Sequence, residues 1–502
     1  MKRLSVIFAG LTLTAAVSAY FLDAAAKQKL SQPRPTQYQG DAPKTQSSID
    51  LQSLIGLKEQ PAEDILKKSD AEMILGYLVH AADHGLQTID LAPMYETLQL
   101  GHNLNDSQKV LLIDALVKFG QEVGGSRIDW SKARKDWAMR PETRDIRTNF
   151  DTAIKNDELR AWLDNLAPRH DAYLSLVGAR NQYAQIQANG GFAKLHSKEG
   201  LIKDANNQQV ALLRARLAQE GFEAGPTATP SLYDTALATQ VSLYQQAHGL
   251  PKTGEVSDKT FAALEVPIEN RLKQIDLNLE RERWLPRTNP ATRIEANIPE
   301  ATLTYYKENK VALTMATIVG ANSTKTPMFT SNVHSIVLNP PWYVPRSISR
   351  RQRVQPPGPN NALGRVKFDF LNDFSVYLHD TPNHALFSAS RRNLSHGCVR
   401  LNKPKDLAEL LLAPQGISRA EIDEITSRVV TRNIKLQTQT PVALLYRTAY
   451  VAMTGPTTNK VHFVDDVYDW DILLENLLNA SRQPSNSATI IAPDDTKIVA
   501  AP

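Results

Sequence analysis

Residues 302–320 read TLTYYKENKVALTMATIVG, and along them the spacing of apolar residues shortens from that of a helix to two. Leu303 and Tyr305 alternate with polar neighbours, Glu308 and Asn309 make a polar turn, and Val311, Leu313, Met315, Thr317 and Val319 alternate again. Successive side chains of a strand point to opposite faces, so this pattern predicts a β-hairpin with one buried face. Strand-like runs at 335–338, 373–378 and 442–446 extend it to a β-rich domain over residues 291–455, followed by a C-terminal segment at 456–480. Residues 481–502, with Pro484 and several serines, have the composition of a disordered tail.

Upstream the period is helical. Ile74, Leu78 and Ala81, then Leu111, Leu112, Leu116 and Phe119, then Leu159, Trp162 and Leu166 mark short helices over residues 51–203. A break at Pro168, Arg169 and His170 leads into a further helix through Tyr173, Leu176 and Ala179. This part reads as a scaffold. Residues 204–267 form a smaller unit, in which LRARLAQEGF (213–222) and YDTALATQVSLYQQAHGLPKTGEVSDKTFAAL (233–264) give helix, glycine, helix, a Thr-Gly turn and a third helix opened by Ser257. The arrangement resembles the three-helix peptidoglycan-binding module of cell-wall enzymes; a generic helical insertion is the competing reading. Residues 268–290, with Leu272, Ile275 and Leu279, return to the scaffold as one amphipathic helix ending at Trp284, Leu285 and Pro286. The fold class expected is therefore multidomain α+β.

The chain has 502 residues, too many for one core, with 42% hydrophobic and 22% charged residues, the proportions of a globular protein. A net charge of +4 gives no concentrated basic face, and nucleic acid is not an expected partner. The first residues break the pattern. Two positive charges precede an apolar run over residues 4–17, and Val17, Ser18 and Ala19 carry the small residues a signal peptidase reads. Residues 1–26 thus predict export to the periplasm, as a cleaved signal or as an anchor tethering the protein to the inner membrane, and residues 27–50 a proline-bearing linker.

The chain has a single cysteine, Cys398, so no disulfide framework can form, and the thiol is either reactive or an inert core residue. It lies in VYLHDTPNHALFSASRRNLSHGCVRLN (376–402), directly after Ser395, His396 and Gly397, with His379 nineteen residues upstream. A nucleophilic thiol needs a base within hydrogen-bond reach, and the base needs a third group to fix its tautomer. An imidazolium beside the thiol would also lower its pKa, and a glycine before the cysteine lets backbone N–H groups face an oxyanion. Three readings follow from these residue types. Cys398 attacks a carbonyl with His379 as base; or His379, His384, His396 and Cys398 hold a metal, although no glutamate accompanies them; or the cysteine is simply buried.

The segment HDTPNHALFSASRRNLSHGCVRL resembles the active-site motif of the L,D-transpeptidases. NPPWYVPRSI (339–348), QPPGPNNALGRVKF (355–368), PVALLYRTAYV (441–451) and VHFVDDVYDWD (461–471) resemble other parts of the same catalytic domain, and the helical region resembles the scaffold of the large Gram-negative members. The resemblance implies Cys398 as acylated nucleophile and His379 as general base. It implies that His396 and Gly397 shape the loop, that the N–H groups of Gly397 and Cys398 form an oxyanion hole, that the Asp380 carbonyl orients the imidazole, and that Tyr377 adds a hydroxyl. Ser395, Arg400 and Trp342 are expected to contact substrate, with no cofactor and no metal. The implied partners are peptidoglycan tetrapeptide stems, as donor and acceptor, joined by 3→3 cross-links with release of D-Ala. Water or a lipoprotein lysine as acceptor, or an inactive wall-binding scaffold, are the alternatives.

Two features depart from the family pattern. Arg400 stands where many members have asparagine, and it can clasp a substrate carboxylate or form a structural ion pair. The connection after Trp342 is short and carries Arg346, Arg350, Arg351 and Arg353, either a solvated loop or an attractor of stem carboxylates. Trp342 itself reads equally as core packing or as a wall of the substrate groove.

Overall fold

The computed structural model describes residues 66–125, 127–345 and 353–481. The expected export segment, linker and start of the scaffold, and the tail beyond 481, lie outside the described residues, as do Arg346, Arg350 and Arg351. All described residues fall in one compact unit, residues 62–502. None of its helices is long and apolar enough to cross a membrane.

The scaffold begins with α1 (Lys68–Leu78), α2 (Ala92–Gln99), α3 (Asp106–Val123), α4 (Ile146–Lys155) and α5 (Leu159–Asp164). Asn105 caps α3 by accepting from the Gln108 N–H, while the Gln108 side chain accepts from the Asn105 N–H, a reciprocal capping box. Ile74, Leu112, Leu116, Phe150 and Leu163 meet in its core. The expected break at Pro168 precedes α6 (Asp171–Ala188), with His170 as the capping residue.

In the module, α7 (Gln208–Gln219), α8 (Thr235–Ala247) and α9 (Asp258–Leu264) close over Leu213, Leu217, Leu237, Val241 and Tyr244. Gln245, 1% exposed, fastens the loop between the last two helices. Its amide donates to Glu255 O and Thr260 Oγ1, and its oxygen accepts from the N–H groups of Thr253 and Gly254. The Gln and the Thr-Gly turn thus form one hydrogen-bonded unit. Gly254 sits at φ +70°, where a Cβ would meet the Ala238 carbonyl at 2.8 Å.

Helix α10 (Ile268–Glu282) packs Ile275 and Leu279 against Tyr173, Leu176 and Tyr183 of α6. Its end is not the solvated edge an amphipathic helix implies. Glu280, Arg281, Glu282 and Arg283 are all buried. Arg447 bridges Glu282 at 2.5 Å and Glu295 at 2.6 Å, Arg281 meets Asp471 at 2.5 Å, and Glu280 receives Arg283 at 2.8 Å and Arg127 at 3.3 Å. These pairs join helix, scaffold and β-domain through charge, beside the apolar contacts of Leu277 and Trp284 with the sheet core.

The β-domain contains the expected hairpin, β2 (Thr302–Lys307) and β3 (Lys310–Gly320), with Glu308 and Asn309 both at positive φ, the turn whose twist suits a two-residue hairpin. Around it stand β1 (Arg293–Asn297), β4 (Phe329–Leu338), β7 (Val366–Phe370), β8 (Leu378–His379), β9 (Asn393–Ser395), β10 (Val399–Leu401) and β11 (Arg432–Leu445). The order is β10-β8-β7-β4-β11-β1-β2-β3-β9, and β10 also pairs with β3, so the sheet closes on itself. Leu303, Ile336, Phe368, Leu378, Val399, Leu401 and Leu444 fill the interior. Helix α11 (Pro404–Leu412) adds Leu407, Ala408 and Leu411 to that core.

Two expectations need correction. The run 373–378 is irregular except at Leu378, because the Asn372 side chain takes the partners a ladder would supply: it accepts from the Phe374 and Val376 N–H groups and donates to Phe370 O and Val376 O. The domain boundary at 455 falls inside a hairpin, β12 (Ala449–Val451) with β13 (Val461–Phe463). Ala449, Val461 and Phe463 pack on α6 and α10 rather than inside the sheet.

Candidate active site

Strands β8 and β10 run parallel, with Leu378 opposite Val399 and His379 opposite Arg400. Leu378 and Val399 are fully buried in the core. Alternation therefore puts Tyr377, His379, Cys398 and Arg400 together on the other face. Strand β7 pairs Phe368 with Leu378 and Lys367 with His379, which adds Lys367 to that face. The nucleophile and base expected from sequence are diagonal neighbours on one surface. Among the described residues no group of three or more His, Cys, Asp or Glu side chains is placed to hold a metal ion. His384 lies 3.5 Å from the Asp380 carboxylate with its side chain half exposed, and His396 is exposed.

His379 is 4% exposed, and its Nδ1–H donates to the Asp380 carbonyl at 2.5 Å. That bond leaves Nε2 as the basic atom. The Asp380 carboxylate in turn accepts from the Arg365 N–H and the Thr381 N–H, both at 2.7 Å. Gly364, at φ +63°, is required here, because a Cβ would lie 2.4 Å from the Asp380 carboxyl carbon.

The Cys398 thiol contacts the Ser375 carbonyl at 3.9 Å, and Tyr377 lies close enough to the sulfur to oppose the rise that burial imposes on the thiol. The Tyr377 hydroxyl also meets the Trp342 side chain, and its ring stands edge-on to His379 at 5.5 Å. Trp342, on β5 (Trp342–Tyr343) paired with β6 (Val354–Gln355), is half-buried and reaches the nucleophile through tyrosine.

The electrostatics run opposite to an imidazolium–thiolate pair. Burial drives the His379 imidazole down to about 3, and the Arg400 and Lys367 cations push the same way, against the Asp380 and Leu363 carbonyls. Burial also raises the Cys398 thiol, opposed by Tyr377, Lys367 and Arg400. At neutral pH the resting pair is a thiol beside a neutral imidazole. Both shifts run against the resting imidazolium and lowered thiol expected from the sequence.

Two other expectations change. Ser395 is 3% exposed, its hydroxyl donates to Cys398 O at 2.6 Å and accepts the Gly397 N–H at 3.1 Å, so it braces the loop rather than offering itself to substrate. The same bond occupies the Gly397 N–H, which is not presented as an oxyanion donor in this conformation. Gly397 keeps its glycine requirement, with φ +116°. Arg400 is half-buried, its Nε has no hydrogen-bond partner, and among the described residues no carboxylate pairs with it. A structural ion pair is thereby set aside. A cation beside the sulfur suits a developing oxyanion or a substrate carboxylate.

Sequence reasoning did not single out the supports. Thr326, fully buried, donates to Gly397 O at 2.8 Å and accepts the Gly320 N–H at 2.8 Å; Tyr468 O–H donates to Gly320 O at 2.5 Å and accepts the Thr326 N–H. Lys367 pairs with Asp369 at 2.6 Å and lies 4.4 Å over the Tyr377 ring. The one available signal was the alternation in VKFDF, which puts Lys367 and Asp369 on the polar face. Thr326→Val orphans a buried carbonyl and a buried N–H, each worth about 1–3 kcal/mol. The expected outcome, at a temperature where the variant is fully folded, is roughly tenfold slower acylation of Cys398 with little change in KM.

The geometry sets a cysteine and a buried histidine side by side on the polar face of a closed β-sheet. Residues 291–442 match the family model described as L,D-transpeptidase catalytic domain, residues 64–179 a scaffold domain, and residues 206–264 a "Putative peptidoglycan binding domain". The catalytic domain of this chain belongs to the L,D-transpeptidase family. A curated relative from Haemophilus influenzae, "Putative L,D-transpeptidase", is 29% identical over 245 residues, 40% of this chain and 49% of the relative. The chain thus spans about half the length of the curated relative it matches. Among solved structures, an L,D-transpeptidase from Xylanimonas cellulosilytica is 16% identical, covering 49% of this chain and 96% of that one, with a TM-score of 0.19. One from Mycobacterium smegmatis is 16% identical, covering 32% and 60%, with a TM-score of 0.20.

Proposed function

We propose that the protein is an exported peptidoglycan L,D-transpeptidase that forms 3→3 cross-links through a thioester on Cys398. The observation that carries the reading is the parallel pairing of β8 and β10, which sets His379 and Cys398 on one face with the imidazole tautomer fixed by the Asp380 carbonyl. In this mechanism Nε2 of His379 takes the thiol proton as Sγ attacks the carbonyl between the diamino acid and the terminal D-Ala of a tetrapeptide stem. The Tyr377 hydroxyl and the Arg400 guanidinium stabilise the negative charge that moves from sulfur to oxygen. The amide C–N bond breaks, the imidazolium returns its proton to the departing D-Ala, and a thioester remains. The side-chain amine of a second stem attacks that thioester, His379 takes the amine proton, the C–S bond breaks and the thiol is re-formed.

The binding module and the export segment support a wall substrate in the periplasm. Hydrolysis or transfer to a lipoprotein lysine uses the same first half-reaction and differs only in the acceptor. Purified protein given disaccharide-tetrapeptide is expected to release D-Ala and yield a 3→3 dimer. Release of D-Ala with tripeptide alone would instead assign a carboxypeptidase. Meropenem is expected to add covalently to Cys398, as read by intact-mass and peptide mapping. An unmodified Cys398 after prolonged exposure would remove the acyl-transfer reading altogether.

A further inference from the structure

A second cleft lies away from the cysteine, at the junction of scaffold, α10 and sheet. Its volume is about 440 Å³, and Met139, Arg140, Glu142, Arg144, Trp284 and Arg287 are among its lining residues, with Thr330 of β4 on the sheet side. Arg169 stands beside it, its N–H donating to the Arg287 carbonyl and its guanidinium to the Asn165 side chain. Among the described residues none of Arg140, Arg144, Arg169 and Arg287 forms an ion pair with a carboxylate, whereas the lining Arg283 is satisfied by Glu280 at 2.8 Å. Arg287 is pinned by the carbonyls of Asn165 and Ala167, and Arg144 also reaches the Asn165 carbonyl, at 3.4 Å. Carbonyls fix a guanidinium without neutralising it. Arg140 is spread over the Trp130 ring at 4.2 Å, equally without a counter-charge.

We propose that this cleft is an anion-binding site that holds the carboxylates of a peptidoglycan peptide stem apart from the catalytic cysteine, an inference that rests on the wall-substrate reading above. The guanidinium fork matches carboxylate and phosphate oxygens alike. The apolar floor of Met139, Trp284, Leu285 and Pro286 favours an organic acid with aliphatic arms over a bare inorganic anion. With Glu142 as the lining carboxylate against Arg140, Arg144 and Arg287, the excess of positive charge around the cleft focuses the field on its interior. Burial, with Arg144 and Arg169 nearby, brings the Arg287 guanidinium down to about 10 although the Glu142 carboxylate of the same cleft pulls it the other way, so one carboxylate faces four guanidinium groups here. A solvated basic surface would leave these side chains free to splay; here Arg144, Arg169 and Arg287 are tied to one loop and Arg140 to a ring.

The test uses full-length Cys398→Ala protein, so that binding is read without turnover, and calorimetric titration with disaccharide-tetrapeptide. Two classes of site are expected, and Arg140→Glu with Arg144→Glu, both away from the pinned Arg287, is expected to weaken one of them by about tenfold or more. Meropenem acylation of Cys398 in the same double variant on the native background is expected to be unchanged. Identical titrations with and without the double substitution would overturn the proposal. Saturable binding of inorganic phosphate or anionic vesicles at this cleft, with the muropeptide silent, would overturn the assignment to a peptide stem. Failure of meropenem to modify Cys398 in the unsubstituted protein would sink the enzymatic reading instead, so the two failures are distinguishable.

Discussion

Replacement of His379 by alanine is expected to slow acylation of Cys398 by roughly 10²–10⁴-fold at neutral pH, the usual contribution of a positioned base. The size follows from the resting protonation state. Burial holds the thiol in its neutral form and the imidazole likewise, so no preformed thiolate is available to react without the base. Loss of a merely structural histidine would depress the rate by the same factor at every pH. Loss of the base instead leaves ionisation to solvent, and the variant's rate should climb about tenfold per pH unit until the thiol titrates. Convergence of variant and native rates in alkaline solution, followed by stopped-flow acylation with a carbapenem, is the outcome that marks a base. Cys398→Ala, in the same assay, should show no acylation at all.

Arg447→Ala is expected to carry the largest stability loss, about 3–5 kcal/mol at neutral pH, because it strands buried carboxylates rather than merely deleting a contact. Arg447 bridges Glu282 of α10 and Glu295 of β1, and Glu295 keeps only Arg293 once it is gone. Burial alone would raise the Glu295 carboxyl, yet Arg447 and Arg293 hold it below the usual carboxylate range. A carboxyl depressed in the fold adds stability above its unfolded value of about 4.3 and loses that contribution as pH falls through the folded one. Without Arg447 the carboxyl rises and takes up a proton readily. The gap between native and variant in urea denaturation should therefore be wide at pH 7 and narrow toward pH 4. Arg447→Lys should recover only part of the loss, since an ammonium cannot span two carboxylates in a fork.

The sequence made the hairpin at 302–320 legible because its two periods and its turn agree. It hid the buried charges at 280–283, because their partners Arg127, Arg447 and Asp471 are remote in the chain, and a charged helix end is normally solvated. The run 373–378 resembled a strand by composition, and only the Asn372 side chain, acting as a local surrogate for ladder partners, decided otherwise. In the site, Cys398 and His379 were legible from the motif, and the Asp380 carbonyl from the resemblance. The roles of Thr326, Tyr468 and Lys367 were not legible, for they arrive from three other elements and act through backbone groups or through charge. Ser395 was assigned to substrate where its hydroxyl in fact closes the nucleophile's own loop.

The claim on which all this stands is that Cys398 rests as a thiol and surrenders its proton to His379 only on attack. Alkylation of the native protein by iodoacetamide, followed by peptide mapping from about pH 5 to pH 10, tests it most directly. Iodide departs without needing a proton, so alkylation reads the standing thiolate rather than the base-assisted step. The account requires a rate that rises continuously with pH and reaches no plateau below the ordinary thiol value of about 8.5. A flat, fast rate across the acidic and neutral range would reveal a standing thiolate–imidazolium pair and contradict it.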